Sequence, residues 1–292
     1  MDITTRSLRI IGRFILSRGV EIMGIAVLLL FLVFFVIPLG YFLLLSFFTF
    51  IQSGRYEAAF TLSNYIRLAR EPLYLRILGA TFKMGAIVSV VCFTLGYPVA
   101  YYLGRSTSKL RNLVLMIVVA SLFTNLVVRT YGWIVLLTEN GLINNILMAS
   151  GLVKEPLDLI FNMTGVVIGE AQIQLPVFIM IVAGVIQLID PDLDFAARVM
   201  GADDVQTFAS VVWPLSLRGI IGGVSLVFAL AISAFITPFF LSGGKIVFTA
   251  LFINTLVTRS LNYPLAGALS MILVLSSVSV IVIMSWISKR YA

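Results

Sequence analysis

The sequence predicts an all-α, polytopic membrane protein with six transmembrane helices, and three observations carry that reading. Hydrophobic residues make up 60% of the 292-residue chain and charged residues 11%, with a mean hydropathy of +1.09, whereas soluble domains carry about 25% charged residues. Six apolar runs are each long enough for a hydrocarbon core about 30 Å thick, which takes roughly 20 residues of helix. The basic residues divide unevenly between the two sets of connecting segments.

The first run, residues 22–50, is long enough to tilt or protrude. It contains Pro38, which removes a backbone donor and is expected to kink the helix. Its apolar core is too long for a cleaved signal peptide and follows Arg6, Arg9, Arg13 and Arg18, so it reads as a retained helix. The second run, 77–104, holds Pro98 and, near its outer end, Lys83, whose ammonium reaches for the headgroups. The third is 113–137, the fourth 160–188 with Pro176, the fifth 219–241 with Pro238 and the sixth 263–288. Neighbouring helices are expected to satisfy the carbonyls these prolines free.

Six spans place both ends on one side. Arg6, Arg9, Arg13, Arg18, Arg105, Lys109, Arg111, Arg198, Arg218, Lys289 and Arg290 fall on the side of the termini, and Arg55, Arg67, Arg70, Arg76, Lys154, Lys245 and Arg259 on the other. Basic residues favour the cytoplasm. Residues 1–21 therefore read as a cytoplasmic N-terminal segment, 22–288 as one transmembrane domain with a cytoplasmic loop over 189–218, and 289–292 as a cytoplasmic tail. The net charge of +7 is a topology signal, and no nucleic-acid face emerges from it. On the outer side, residues 62–75 and 141–152 have helical apolar spacing, and Gly243-Gly244 ahead of Lys245 predicts a turn.

Several chemistries are excluded. The single cysteine, Cys92, has no intrachain disulfide partner, and without histidine there is no imidazole metal site and no Ser-His or Cys-His dyad. The chain has no GxxxxGK[ST] phosphate loop.

Residues 195–220, FAARVMGADDVQTFASVVWPLSLRGI, are polar and helix-competent in a chain otherwise built for lipid. Asp190-Pro191-Asp192 predicts a helix start, Gly201 a bend, and residues 202–212 a second helix with Val205, Phe208, Val211 and Val212 on one side, ended by Pro214. Small residues Ala196, Ala197, Gly201 and Ala202 around the bend permit close approach by a partner, with Asp203 and Asp204 at the rim.

The Ala196-Ala197, Gly201-Ala202, Phe208, Val211, Pro214 pattern, followed by Gly219-Ile220, resembles the cytoplasmic docking loop of permease subunits of bacterial ABC importers. The stretches VRTYGW at 128–133, ENGLIN at 139–144, EPL at 155–157, LSGGK at 241–245 and NYPLAGALS at 262–270 are similar to permeases of the spermidine/putrescine type. The resemblance implies the type I (MetI-like) importer permease fold. It implies a pore subunit without enzymatic activity of its own, half of a path shared with a second permease of similar fold. It also implies two separate ATPase subunits that hold ATP and Mg, a periplasmic solute-binding protein, no cofactor in this chain, and location in a bacterial inner membrane. Asp194, Ala196, Ala197, Gly201, Ala202, Asp203, Asp204, Phe208 and Pro214 are the expected ATPase-coupling residues. The family's leading glutamate falls at Phe195, with Asp194 one residue early, so its role is not carried over.

Polar residues within spans are costly in lipid and face protein or a wet cavity. Glu170 and Gln174, four residues apart in the fourth run, share a helix face and are candidates for the path of a polyamine or similar small cationic solute, with an intersubunit role or pairing with Arg129 as the structural alternative. Tyr131 and Trp133 are candidates to stack on a solute cation, or they belong to an aromatic belt. Arg129 is expected to hold a helix junction or snorkel. A secondary transporter is the rival from another class, and a non-polyamine solute such as an amino-acid derivative the rival within this one.

Overall fold

A computed structural model describes residues 23–290 with the exception of Ser53. The basic N-terminal segment read from the sequence lies outside them. Five single helices among the described residues are long and apolar enough to cross a membrane, and a bent pair completes a sixth. In chain order they are α1 (Met23–Leu45), α3 (Pro72–Arg105), α7 (Met163–Gln187), α9 (Asp204–Ile232) and α12 (Tyr263–Arg290), with α4 (Lys109–Leu122) and the stretch Leu126–Ala149, which opens with α5 (Leu126–Leu137), forming the bent span. Shorter elements join them: strands β1 (Thr49–Gln52) and β2 (Arg55–Glu57), and helices α2 (Ser63–Arg70), α6 (Leu142–Ala149), α8 (Pro191–Val199), α10 (Ile236–Leu241) and α11 (Thr249–Thr258).

The core is the bundle of α3, α7 and α9, packed on one another along their lengths. Helices in lipid gain no hydrophobic drive toward each other, so they associate through tight packing at small residues. Phe178 of α7 shows how: the ring is fully buried, wedged between Gly96 of α3 and Gly223 of α9, where an added Cβ would come within 2.6 Å and 3.0 Å of it. A second cluster joins Leu68 of α2, Tyr74 of α3, Leu256 of α11 and Leu265 and Leu269 of α12. The strands form an antiparallel hairpin with Thr49 opposite Glu57. Asn64 ties it down by donating to the carbonyls of Ser46 and Phe48, both at 2.9 Å.

Most predicted elements are present, including α2 and α6 in the segments 62–75 and 141–152, but four expectations are corrected. The third span is not one helix. It breaks at residues 123–125 and turns by 103°, because Asn125 begins a new helix by accepting from the backbone N–H groups of Val127 and Val128 at 2.9 Å and 3.2 Å. The fifth span also breaks, between Ile232 and Ile236, with Pro238 in the first turn of α10 where no N–H donor is needed. The first span ends at Leu45, and the residues expected to extend it form β1.

Pro214 does not end its helix. Residues Phe208–Val212 widen into a π turn closed by the Trp213 N–H on the Phe208 carbonyl, and α9 runs on through the proline. The same device precedes Pro38, where Leu32–Val36 is a π turn closed by Ile37 on Leu32. A π turn re-phases the carbonyls that proline would otherwise strand or strike.

At the turn between α10 and α11, Gly243 and Gly244 have φ of +56° and +75°. Gly243 lies under the Phe161 ring, where a Cβ would approach to 2.5 Å. Gly243→Ala is expected to cost about 1–2 kcal/mol through the left-handed backbone alone, read as a lower melting temperature of the purified protein. Wild-type stability would show that the turn tolerates a side chain.

Candidate functional site

The polar segment folds as a helix, a sharp bend and the start of a transmembrane helix. Asp190 caps α8 by accepting from Asp192 N–H at 2.9 Å. Asp192 and Asp194 sit in the first turn and Arg198 in the last, as the helix dipole favours. The bend is a Schellman motif: Gly201, at φ +92°, donates to the Arg198 carbonyl and Ala202 to that of Ala197. Asp203 then opens α9 in a capping box, accepting from Gln206 N–H at 2.7 Å while its own N–H donates to the Gln206 side chain at 3.1 Å.

Of the predicted coupling residues, Ala196, Gly201, Asp203 and Asp204 are exposed, whereas Ala197, Phe208 and Pro214 turn wholly or partly inward. The three aspartates among the expected coupling residues have intramolecular partners: Asp194 pairs with Arg105 at 3.0 Å, Asp204 with Arg198 at 2.9 Å, and Asp203 is the cap. Beside these charges the segment also shows apolar side chains outward. Phe195, Val199, Met200 and Val205 are 64%, 88%, 82% and 75% exposed and surround the bend. Val199 and Met200 were not singled out from the sequence, although their position directly before the bend glycine was the available signal. Contiguous exposed apolar surface rimmed by polar groups marks an interaction site. A groove of about 820 Å³ runs beside α8, lined by Phe195 and by the cationic side chains of Arg105, Lys109, Arg111 and Arg198.

The candidate path residues gather where α10 packs against α5 and α7. Glu170 is 2% exposed and accepts from Gln174 Nε2 at 2.8 Å, with Thr237 of α10 giving a second side-chain hydrogen bond. Trp133 Nε1 donates to Gln172 at 3.4 Å, and the half-exposed Tyr131 ring lies 5.0 Å from that of Phe240. Arg129 does not pair with Glu170. Its guanidinium donates to the carbonyls of Ser121 and Thr124, at the broken end of α4.

Residues 96–292, which hold the polar segment and the last four spans, match the family described as binding-protein-dependent transport system inner membrane component. The chain belongs to that family. This permease is 32% identical over 228 residues to the spermidine/putrescine transport system permease protein PotB of Escherichia coli K12, covering 78% of this chain and 82% of that one. It is 32% identical over 257 residues to PotB of Haemophilus influenzae, covering 88% and 90%. Among solved structures, a bacterial alginate ABC transporter in complex with its pentasaccharide-bound periplasmic protein contains a chain with the same fold, at a TM-score of 0.76 and 16% identity, covering 96% of each chain. The permease is thus a multi-pass inner-membrane subunit of an ABC transporter, with the importer permease fold expected from its sequence and ATP hydrolysis assigned to a separate subunit.

Proposed function

We propose that this permease forms half of the path by which an ATP-driven importer takes up a polyamine or a similar small cationic organic solute. The exposed apolar patch at residues 195–205 carries the reading: a surface of that kind on an otherwise polar segment beyond the spans is a seat for a soluble subunit. In this reading the seat faces the cytoplasm and receives one of two ATPase subunits, which hold ATP and Mg. Both termini of the permease face the same side, in keeping with the distribution of lysine and arginine. A second permease completes the pore. The large side chains of α1 stand mostly exposed from Met23 to Leu44, a surface that lipid or the second permease would cover. A periplasmic binding protein delivers solute to the outer face.

The polyamine assignment is supported by likeness to permeases named for spermidine and putrescine, together with a carboxylate deep in the bundle. Glu170 with Gln174 is the candidate cation-selecting pair, opened to the path in the state that α10 leaves, with Tyr131 and Trp133 beside it. The test is the reconstituted complex with both permeases, the ATPase and the binding protein, assayed for ATP hydrolysis stimulated by polyamines, amino-acid derivatives and other organic cations. Stimulation by none of the polyamines would remove that cargo. Glu170→Gln is expected to lower uptake of a cationic solute about tenfold while the complex still assembles. Unchanged uptake would take Glu170 out of the path.

A further inference from the structure

Arg105 is the last residue of α3, yet its side chain belongs to the docking segment. Nη1 donates to the Ile189 carbonyl at 3.0 Å, just before α8, and Nη2 to Asp194 Oδ1 at 3.0 Å in its first turn. The two side chains are only 14% and 23% exposed, so water screens this charge-assisted pair less than a surface one. Close by, the Leu103 carbonyl accepts from Gln187 Nε2 at 3.5 Å, tying the same end of α3 to the last turn of α7.

Farther back along α3, Tyr101 meets the Phe208 ring edge-on at 5.2 Å, and Tyr97 meets Trp213 edge-on at 5.3 Å while its hydroxyl bonds Ser216 at 3.0 Å. Helix α3 therefore grips the docking segment on both sides of the Gly201 bend, although it is covalently attached to neither. The chain itself offers α8 two pivots, the short connection at residues 188–190 and the left-handed glycine. Side-chain contacts to α3 restrain both.

The opposite end of α3 is also fastened. Thr81 and Thr249 hydroxyls are 2.9 Å apart, and Thr249 N–H donates to Thr81 Oγ1 at 2.9 Å, seating the start of α11. Between Thr81 and Arg105 the 34-residue helix is unbroken, a span of about 36 Å at 1.5 Å per residue.

We propose that α3 is a transmission strut, and that Arg105 is the positioning residue that makes it follow the docking segment. The inference rests on the ATPase-docking reading. When the ATPase displaces α8, the guanidinium draws the inner end of α3 with it, and Thr81 carries the shift to α11 in the outer layer. Without that link, α8 swings on its pivots and the spans lag behind.

The measurement is solute moved per ATP hydrolysed by the reconstituted full complex. Arg105→Ala is expected to retain the ATPase subunit and its hydrolysis while solute moved per ATP falls about fivefold or more. Arg105→Gln, which keeps a donor for the Ile189 carbonyl but loses the charge, is expected to give an intermediate drop and serves if the alanine variant fails to fold. A purely structural role would lower assembly, hydrolysis and transport together at a constant ratio, and that result, or a wild-type ratio in either folded variant, overturns the strut. Failure of the wild-type chain to retain an ATPase subunit would instead overturn the docking reading.

Discussion

Arg129→Ala is expected to lower the stability of the purified permease by about 2–4 kcal/mol, because it strips the carbonyls of Ser121 and Thr124 of their side-chain donor at a helix break inside the third span. Such carbonyls have no water to turn to in hydrocarbon, so irregular backbone persists there only where protein or a wet cavity satisfies it. Asn125 satisfies the N–H groups on the other side of the break, and Arg129 the carbonyls on this one. The observable is the thermal unfolding midpoint in detergent together with the yield of folded protein. Arg129→Lys should restore part of the loss, since both bonds come from the one nitrogen Nη2 and an ammonium can also donate to two carbonyls, but its stem ends one bond short of that position. A variant as stable as wild type but deficient in transport would make Arg129 a solute contact.

Gly201→Val is expected to leave insertion and folding of the spans intact while reducing recovery of the ATPase subunit with the permease about tenfold or more. A Cβ at Gly201 meets nothing within 4 Å, so the whole effect comes from the backbone. At φ +92° a β-branched residue is strained by about 1–2 kcal/mol or more. The least costly escape is to open the Schellman turn and redirect α8. Val199→Asp, at a side chain 88% exposed, attacks the same seat through its apolar surface and should weaken recovery without changing the bend. Copurification after gentle detergent extraction distinguishes the outcomes, and full retention of the ATPase by both variants would place docking elsewhere.

Much of this was legible in the sequence because membrane helices are written in length and hydropathy. The spans at 160–188 and 263–288 correspond closely to α7 and α12, and the turn signals at Asp190-Pro191 and Gly201 locate α8 and its bend. The breaks in the third and fifth spans were not legible. Hydropathy averages over the window that contains Asn125, and a single capping side chain, worth about 1 kcal/mol, decides where the helix ends. Pro214 was misleading for the opposite reason: a proline signals a helix end only if the preceding turn stays α-helical, and the π turn before it does not. The pairing of Asp194 was not legible, because sequence gives no sight of Arg105, 89 residues away in the chain.

A π turn is an α-helix carrying one additional residue, and each residue of an α-helix advances the chain by about 100°. The direction in which the polar segment leaves the bundle is therefore set by a one-residue insertion at Phe208–Val212 together with the bend at Gly201. Related chains lacking that residue would present the same motif to a different azimuth, so length at this point is as much a determinant of which subunits fit together as the identity of the side chains that touch.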